Sequence, residues 1–149
     1  MATLRFSFGT MGSGKSTLAL QIHHNLTNRE LYGLLLTTLD REGRVLHCEH
    51  ANRRVARTEL DGTRSGLVDR YAGARLNSPN DIVVKSDGTI WFTDPPYGIV
   101  LPDEGTPAPQ EQPGCFVFRF DPDRGQLSVA SEAIIHPNGL AFSPDESLL

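Results

Sequence analysis

Cysteine is scarce in this chain: only Cys48 and Cys115 occur in 149 residues, and there is no CxxC pair. That excludes a disulfide framework and a zinc cluster of the usual spacing. Each cysteine has strand-like neighbours and is read as a small core side chain, with a ligand or a bridge as the alternatives. Long apolar runs are also missing. Nothing approaches the roughly 18 consecutive apolar residues of a membrane span, so no membrane contact is expected. Arg5 and Ser7 interrupt the apolar start and a glycine loop follows at once, which argues against a signal peptide and for a cytoplasmic location. Basic residues are outnumbered, 14 against 18 acidic ones, for a net charge of −4. Residues 1–38 hold Arg5, Lys15 and Arg29 against Glu30, a net of +2 that leaves −6 for residues 39–149. That balance offers no basic patch to a phosphate backbone, so no nucleic-acid partner is expected.

The chain does have the length and the apolar content, 38%, of an ordinary globular domain with a core. Its pattern divides into two parts, residues 1–38 and 39–149. In the first, Leu4, Phe6 and Phe8 alternate with Arg5 and Ser7, the period of a strand, and the run ends at Gly9. Gly9-Thr10-Met11-Gly12-Ser13-Gly14-Lys15-Ser16-Thr17 then matches GxxxxGK[ST] in full. Glycines in that pattern let backbone N–H groups curl around phosphate oxygens. Lys15 supplies a cation to the terminal phosphates, and Ser16 offers a hydroxyl to Mg²⁺. Leu18, Ile22 and Leu26 recur at helical spacing, so a helix is expected with its N-terminus aimed at the anion. Leu34-Leu35-Leu36 reads as a second, buried parallel strand. Residues 1–38 are thus expected to form a βαβ phosphate-loop unit that binds Mg-ATP through Gly9, Gly12, Gly14, Lys15, Ser16 and Thr17.

The second part repeats itself. Leu39-Asp40-Arg41-Glu42-Gly43 with Val45-Leu46 matches Val84-Lys85-Ser86-Asp87-Gly88 with Ile90-Trp91-Phe92, 45 residues later. Phe142-Ser143-Pro144-Asp145-Glu146 with Leu148-Leu149 is a third copy at a spacing of 58, with Glu146 in the glycine position. The additional 13 residues correspond to Leu101–Pro113, rich in proline and acid, which reads as a surface insertion. Further strands are expected over Arg54–Leu60, Gly66–Tyr71, Cys115–Phe120 and Leu127–Ala130, and no helix is expected after Leu39. Strands and tight turns repeating near 45 residues point to propeller blades. Asn80-Asp81 and Asn138-Gly139 each lie eight residues before the repeat's glycine position, so Asn80 and Asn138 are expected to converge on the propeller axis. Their amide oxygens suit a hard divalent ion. The alternative is that each asparagine simply starts a turn after Pro79 or Pro137. His47, His50 and His136 are read as packed or solvent-facing rather than catalytic, and Trp91 and Phe92 as core.

Two family resemblances rest on these motifs. Phe8-Gly9-Thr10-Met11, Gly14 to Gln21, His24-Asn25 and Gly33-Leu34-Leu35-Leu36-Thr37 resemble the start of the cytosolic and bacterial type of thymidine kinase, over residues 1 to about 41. Asp87-Gly88-Thr89-Ile90-Trp91-Phe92-Thr93-Asp94-Pro95-Pro96-Tyr97-Gly98, Leu76 to Asp81 and Pro137-Asn138-Gly139 to Asp145 resemble the senescence-marker-protein / gluconolactonase / luciferin-regenerating family, over about 39–149. The second resemblance implies two to three blades of an incomplete six-bladed propeller. It also implies a lactone or ester substrate and a divalent metal (Ca, Zn or Mn) touched by Asn138 and Asn80. That family's metal-binding glutamate belongs before Leu39 and its catalytic aspartate beyond Leu149, so no catalytic residue is assigned and a catalytically incomplete hydrolase fragment is expected. The alternatives are an ATP-binding fragment of a thymidine kinase, and a non-functional fusion that self-associates through open strand edges. Leu39-Asp40-Arg41 serves both patterns and marks the junction of a chimera-like chain.

Overall fold

The computed structural model describes residues 37–102 and 104–149. The expected strand, phosphate loop and helix of residues 1–36 lie outside the described residues. The described residues are mainly β, in antiparallel strands. The first sheet is a four-stranded meander of β1 (Thr37–Leu39), β2 (Val45–Glu49), β3 (Arg54–Thr58) and β4 (Arg64–Val68), each paired with the next. Thr37, Thr38 and Leu39 pair with His47, Leu46 and Val45. The stretch shared by the two resemblances is therefore the first hairpin of a blade-like sheet.

A two-residue ladder, β5 (Arg70–Tyr71) with β6 (Ala74–Arg75), leads on to the second sheet. The strand expected over Gly66–Tyr71 is thus divided at Asp69. Its second half turns back through Ala72 and Gly73, both at positive φ (50° and 86°), as a two-residue hairpin of the mirror-image turn type requires. The second sheet comprises β7 (Ile82–Val84), β8 (Ile90–Asp94), β9 (Phe116–Asp121) and β10 (Gln126–Ser131), again a meander. Between β8 and β9 sits α1 (Tyr97–Val100), a single turn that the sequence pattern does not reveal. Pro95 and Pro96 end the strand, and Pro96 accepts N–H bonds from Ile99 and Val100. The insertion is less superficial than expected. Gln112 is buried, and its amide donates to the carbonyls of Tyr71, Ala74 and Arg75 at 2.9–3.2 Å, fastening the segment to the β5–β6 hairpin.

The repeated Asp-Gly segments are hairpin turns of one design. Gly43, Gly62 and Gly88 occupy positive φ (78°, 84° and 89°), and Glu146 does so too at 55°. Asp61 Oδ1 accepts the N–H and hydroxyl of Thr63. Asp87 does the same for Thr89, and Asp145 for Ser147. Those hydroxyl bonds hold the carboxyls of Asp61 and Asp87 below the ordinary range and, with the Ser143 hydroxyl, that of Asp145 down at about 2. Neighbouring turns touch. Arg41 lies 3.3 Å from where a Cβ on Gly88 would stand, and the Glu146 carboxylate accepts the N–H and hydroxyl of Ser86 at 2.8 and 2.6 Å. In the third copy Ser143 N–H donates to the Leu148 carbonyl across the turn, and no strand is present over residues 142–149.

The two sheets pack with β1 beside β7. Between them Leu46, Val55, Leu76, Phe92 and Phe118 are fully buried. Phe118 is the hub, with ring centroids 5.3 Å from Phe92, 5.2 Å from Tyr71 and 5.5 Å from Phe116. Cys48 is buried, as expected, whereas Cys115 is only half-buried, and both are free thiols. Phe92 is core, but Trp91 is half-buried and stands edge-on to Phe142 at 5.4 Å. Removing the Phe118 ring leaves a void among three aromatic neighbours. Phe118→Ala is expected to cost roughly 3–5 kcal/mol. In urea unfolding the midpoint should fall with little change in slope, and a loss below about 1 kcal/mol would remove Phe118 from the centre of the core.

Candidate functional site

Asn80 lies in the loop between β6 and β7, and Asn138 in the segment after β10, each just past a buried proline. The two meet: Asn80 Nδ2 donates to Asn138 Oδ1 at 2.5 Å. Asn80 is half-buried and Asn138 exposed, so the pair faces solvent. The convergence expected from their common phase in the repeat is thus present. Each asparagine is also set by its main chain. Asn80 N–H donates to the Thr93 carbonyl at 2.9 Å, and the Asn138 carbonyl accepts the Thr93 hydroxyl at 2.7 Å. Asp81, next in the loop, accepts the N–H groups of Ile82 and Leu140 on its two oxygens.

Beneath this pair is a buried polar layer that sequence reasoning does not single out. Asp94 is fully buried and accepts the N–H groups of Asn77 and Ser78, one on each oxygen, both at 2.8 Å. Burial pushes its carboxyl up to about 7, against the opposing pull of those two N–H groups and of Arg53. A signal is present in Thr93-Asp94-Pro95-Pro96. An acid at a strand end before two prolines has no N–H to accept from them, so its partners must come from another loop. Asn77 Nδ2 donates to the carbonyl of Gly114 at 2.9 Å, and Ser78 Oγ links the Pro95 carbonyl to the Gly98 N–H. Arg53, buried and at φ 58°, donates Nε–H to the Leu76 carbonyl at 2.7 Å.

The histidines divide as expected between packed and exposed. His47 is buried against the Thr58 hydroxyl, and burial lowers its pKa. His136 is exposed, edge-on to Tyr97 at 5.9 Å. His50 is the informative one: Nδ1 faces the Pro79 carbonyl at 3.1 Å, so that nitrogen carries the proton, and Nε2 stands 3.6 Å from Glu104. A Cβ on Gly98 would stand 2.6 Å from the His50 ring and 2.8 Å from Ser78, so only glycine permits that approach.

Among the described residues no group of three or more His, Cys, Asp and Glu side chains could hold a metal ion. The donors that converge are the two amides. They meet as Asn80 Nδ2–H on Asn138 Oδ1, so the contact presents one hard oxygen, that of Asn138, which fits part of a divalent-ion site and is far short of the roughly six to eight oxygens that Ca²⁺ takes. The phosphate-contact residues Gly9, Gly12, Gly14, Lys15, Ser16 and Thr17 lie outside the described residues. No helix of the described residues is long and apolar enough to cross a membrane.

A family model described as "SMP-30/Gluconolactonase/LRE-like region" matches residues 13–149. A gluconolactonase of Zymomonas mobilis is 38% identical over 109 residues, covering 72% of this chain and 30% of that protein. A solved gluconolactonase from Xanthomonas campestris superposes with a TM-score of 0.70 at 50% identity, covering 74% of this chain and 37% of that one. The chain therefore spans about a third of the length of these relatives. A thymidine kinase of Streptomyces coelicolor is 56% identical over 43 residues, 29% of this chain and 20% of that protein.

The Asp94 carboxyl titrates higher in the folded than in the unfolded chain, so the native state binds the proton more tightly. The stability this adds is complete below about pH 4 and is lost as the pH rises through about 7. The shift from 3.8 to about 7 corresponds to roughly 4 kcal/mol as an upper figure. Denaturation measured across that range should show the decline in the parent chain and a flatter profile in Asp94→Asn. Parallel profiles would assign the dependence to another group.

Proposed function

Since the chain belongs to the SMP-30/Gluconolactonase/LRE-like family, we propose that it is part of a divalent-metal-dependent hydrolase of small lactones or related esters. The observation that carries this reading is the contact between Asn80 and Asn138 on converging loops. Asn138, the more exposed of the two, would hold the ion through Oδ1, with Asn80 beside it touching ion or substrate. A bound Ca, Zn or Mn ion supplies Lewis acidity at the lactone carbonyl and lowers the pKa of a coordinated water. Water adds to that carbonyl and the ring C–O bond breaks, giving the hydroxy acid. This chain's own share is to orient. The asparagines are neutral, so they hold an ion or a carbonyl without adding charge, and the hydrogen-bonded layer beneath keeps their loops in place.

The reading includes catalytic incompleteness. Both oxygens of Asp81, the carboxylate nearest the pair in sequence, already accept main-chain N–H groups. That carboxylate is engaged in holding the main chain of both loops. The purified chain, given small lactones with Ca²⁺, Zn²⁺ or Mn²⁺, is expected to bind an ion but not to turn substrate over. Asn138→Ala should weaken ion binding about tenfold or more in calorimetric titration. Unchanged affinity in that variant would sink the metal assignment, and turnover in the parent chain would sink the incompleteness.

A second reading rests on the 43-residue thymidine kinase match. It gives residues 1–38 a phosphate loop for Mg-ATP, with Gly9, Gly12, Gly14, Lys15, Ser16 and Thr17 as the contacts and phosphoryl transfer to thymidine as the activity of the kinase family. Titration with Mg-ATP should show weak binding that Lys15→Ala abolishes, since the lysine is the cation on the terminal phosphates. Equal binding by parent and variant would rule the loop out.

A further inference from the structure

We propose that Thr93 is a positioning residue: its buried hydroxyl, with the Asp81 carboxylate, sets the two asparagine loops at their mutual distance. This rests on the reading of Asn80 and Asn138 as the working pair. Thr93 stands near the end of β8 and is 1% exposed. Its main chain is engaged with the first loop on both sides: Asn80 N–H donates to the Thr93 carbonyl at 2.9 Å, and Thr93 N–H to the Asp81 carbonyl at 3.0 Å. The side chain then reaches both loops. Oγ1 accepts the Asp81 N–H at 3.0 Å and donates its single proton to the Asn138 carbonyl at 2.7 Å. A hydroxyl can satisfy that pair because it accepts and donates at once.

Asp81 adds a second tie from the same loop. Its Oδ2 accepts the Leu140 N–H at 2.8 Å, so the Asn138 carbonyl and the Leu140 N–H, which bracket Gly139, are both held from the β8 side. Across these two bonds the second loop is fixed by main-chain atoms on either side of Gly139, and the Asn138 side chain is left facing Asn80. Neither Thr93 nor Asp81 needs to touch the ligand. Valine in place of Thr93 keeps the β-branched shape and loses both hydroxyl bonds, whereas serine keeps the bonds and loses a methyl.

Nuclear magnetic resonance of the full chain, read on side-chain amides, tests the claim directly. In the parent and in Thr93→Ser the Asn80 amide protons should show a contact with the Asn138 side chain, and Thr93→Val should lose it. Calcium titration should follow the same order, about tenfold weaker in Thr93→Val and restored in Thr93→Ser. A merely structural role would lower the melting temperature without removing the amide contact in the still-folded variant, and that result would overturn the proposal. Should Thr93→Val fail to fold, Asp81→Ala, at a half-buried position, removes the Leu140 tie. Loss of the contact there supports the clamp, and its persistence overturns it. If the parent shows the contact and the variants lose it while no chain binds an ion, the clamp stands and the metal reading falls.

Discussion

Between β6 and β7 the chain runs from Leu76 to Asp81 with little ladder pairing of its own, and a buried carboxylate takes the place of a neighbouring strand. Asp94 accepts the N–H groups of Asn77 and Ser78, both fully buried, which would otherwise be orphaned there at about 1–3 kcal/mol each. Everything above that contact depends on it. Pro79 then lies where its carbonyl meets His50, Asn80 emerges half-buried, and Asp81 reaches across to Leu140. The functional surface of this molecule is a loop, and its rigidity comes from side chains on the strands beneath it.

Much of the fold was legible because its turns have a strict chemical requirement. A three-residue hairpin loop needs a residue at positive φ, and an aspartate that accepts the N–H two residues on tightens it. Gly43, Gly88 and Glu146 therefore stand in register in the sequence, and their backbones agree. Asn80 and Asn138 could be paired because both keep the same phase to those turns. Thr93 and Asp94 keep no such phase: the two prolines after Asp94 deny it N–H groups of their own, but they do not say which loop supplies its partners. Their partners lie in other loops, and long-range hydrogen bonds leave no period to read. Gln112 was missed for the same reason. Composition placed it in a surface insertion, while three carbonyls of the β5–β6 hairpin hold it inside.

The tripeptide Leu39-Asp40-Arg41, readable as the end of a kinase-like strand or the start of a blade, is committed to the blade among the described residues. Asp40 Oδ1 accepts the N–H groups of Glu42 and Arg44, and Oδ2 the Arg44 guanidinium at 2.6 Å. Arg41 covers Gly88 in the next turn. These contacts suit the family model, whose match continues through this stretch to the last residue.

Glu146 carries a left-handed backbone that its glycine counterparts adopt freely, and its carboxylate is spent on Ser86 in the adjacent turn. The shape of the last repeat is therefore conditional. A peptide covering only residues 141–149 would keep the backbone penalty and lose both compensating bonds, so this turn is formed by its neighbour as much as by its own residues.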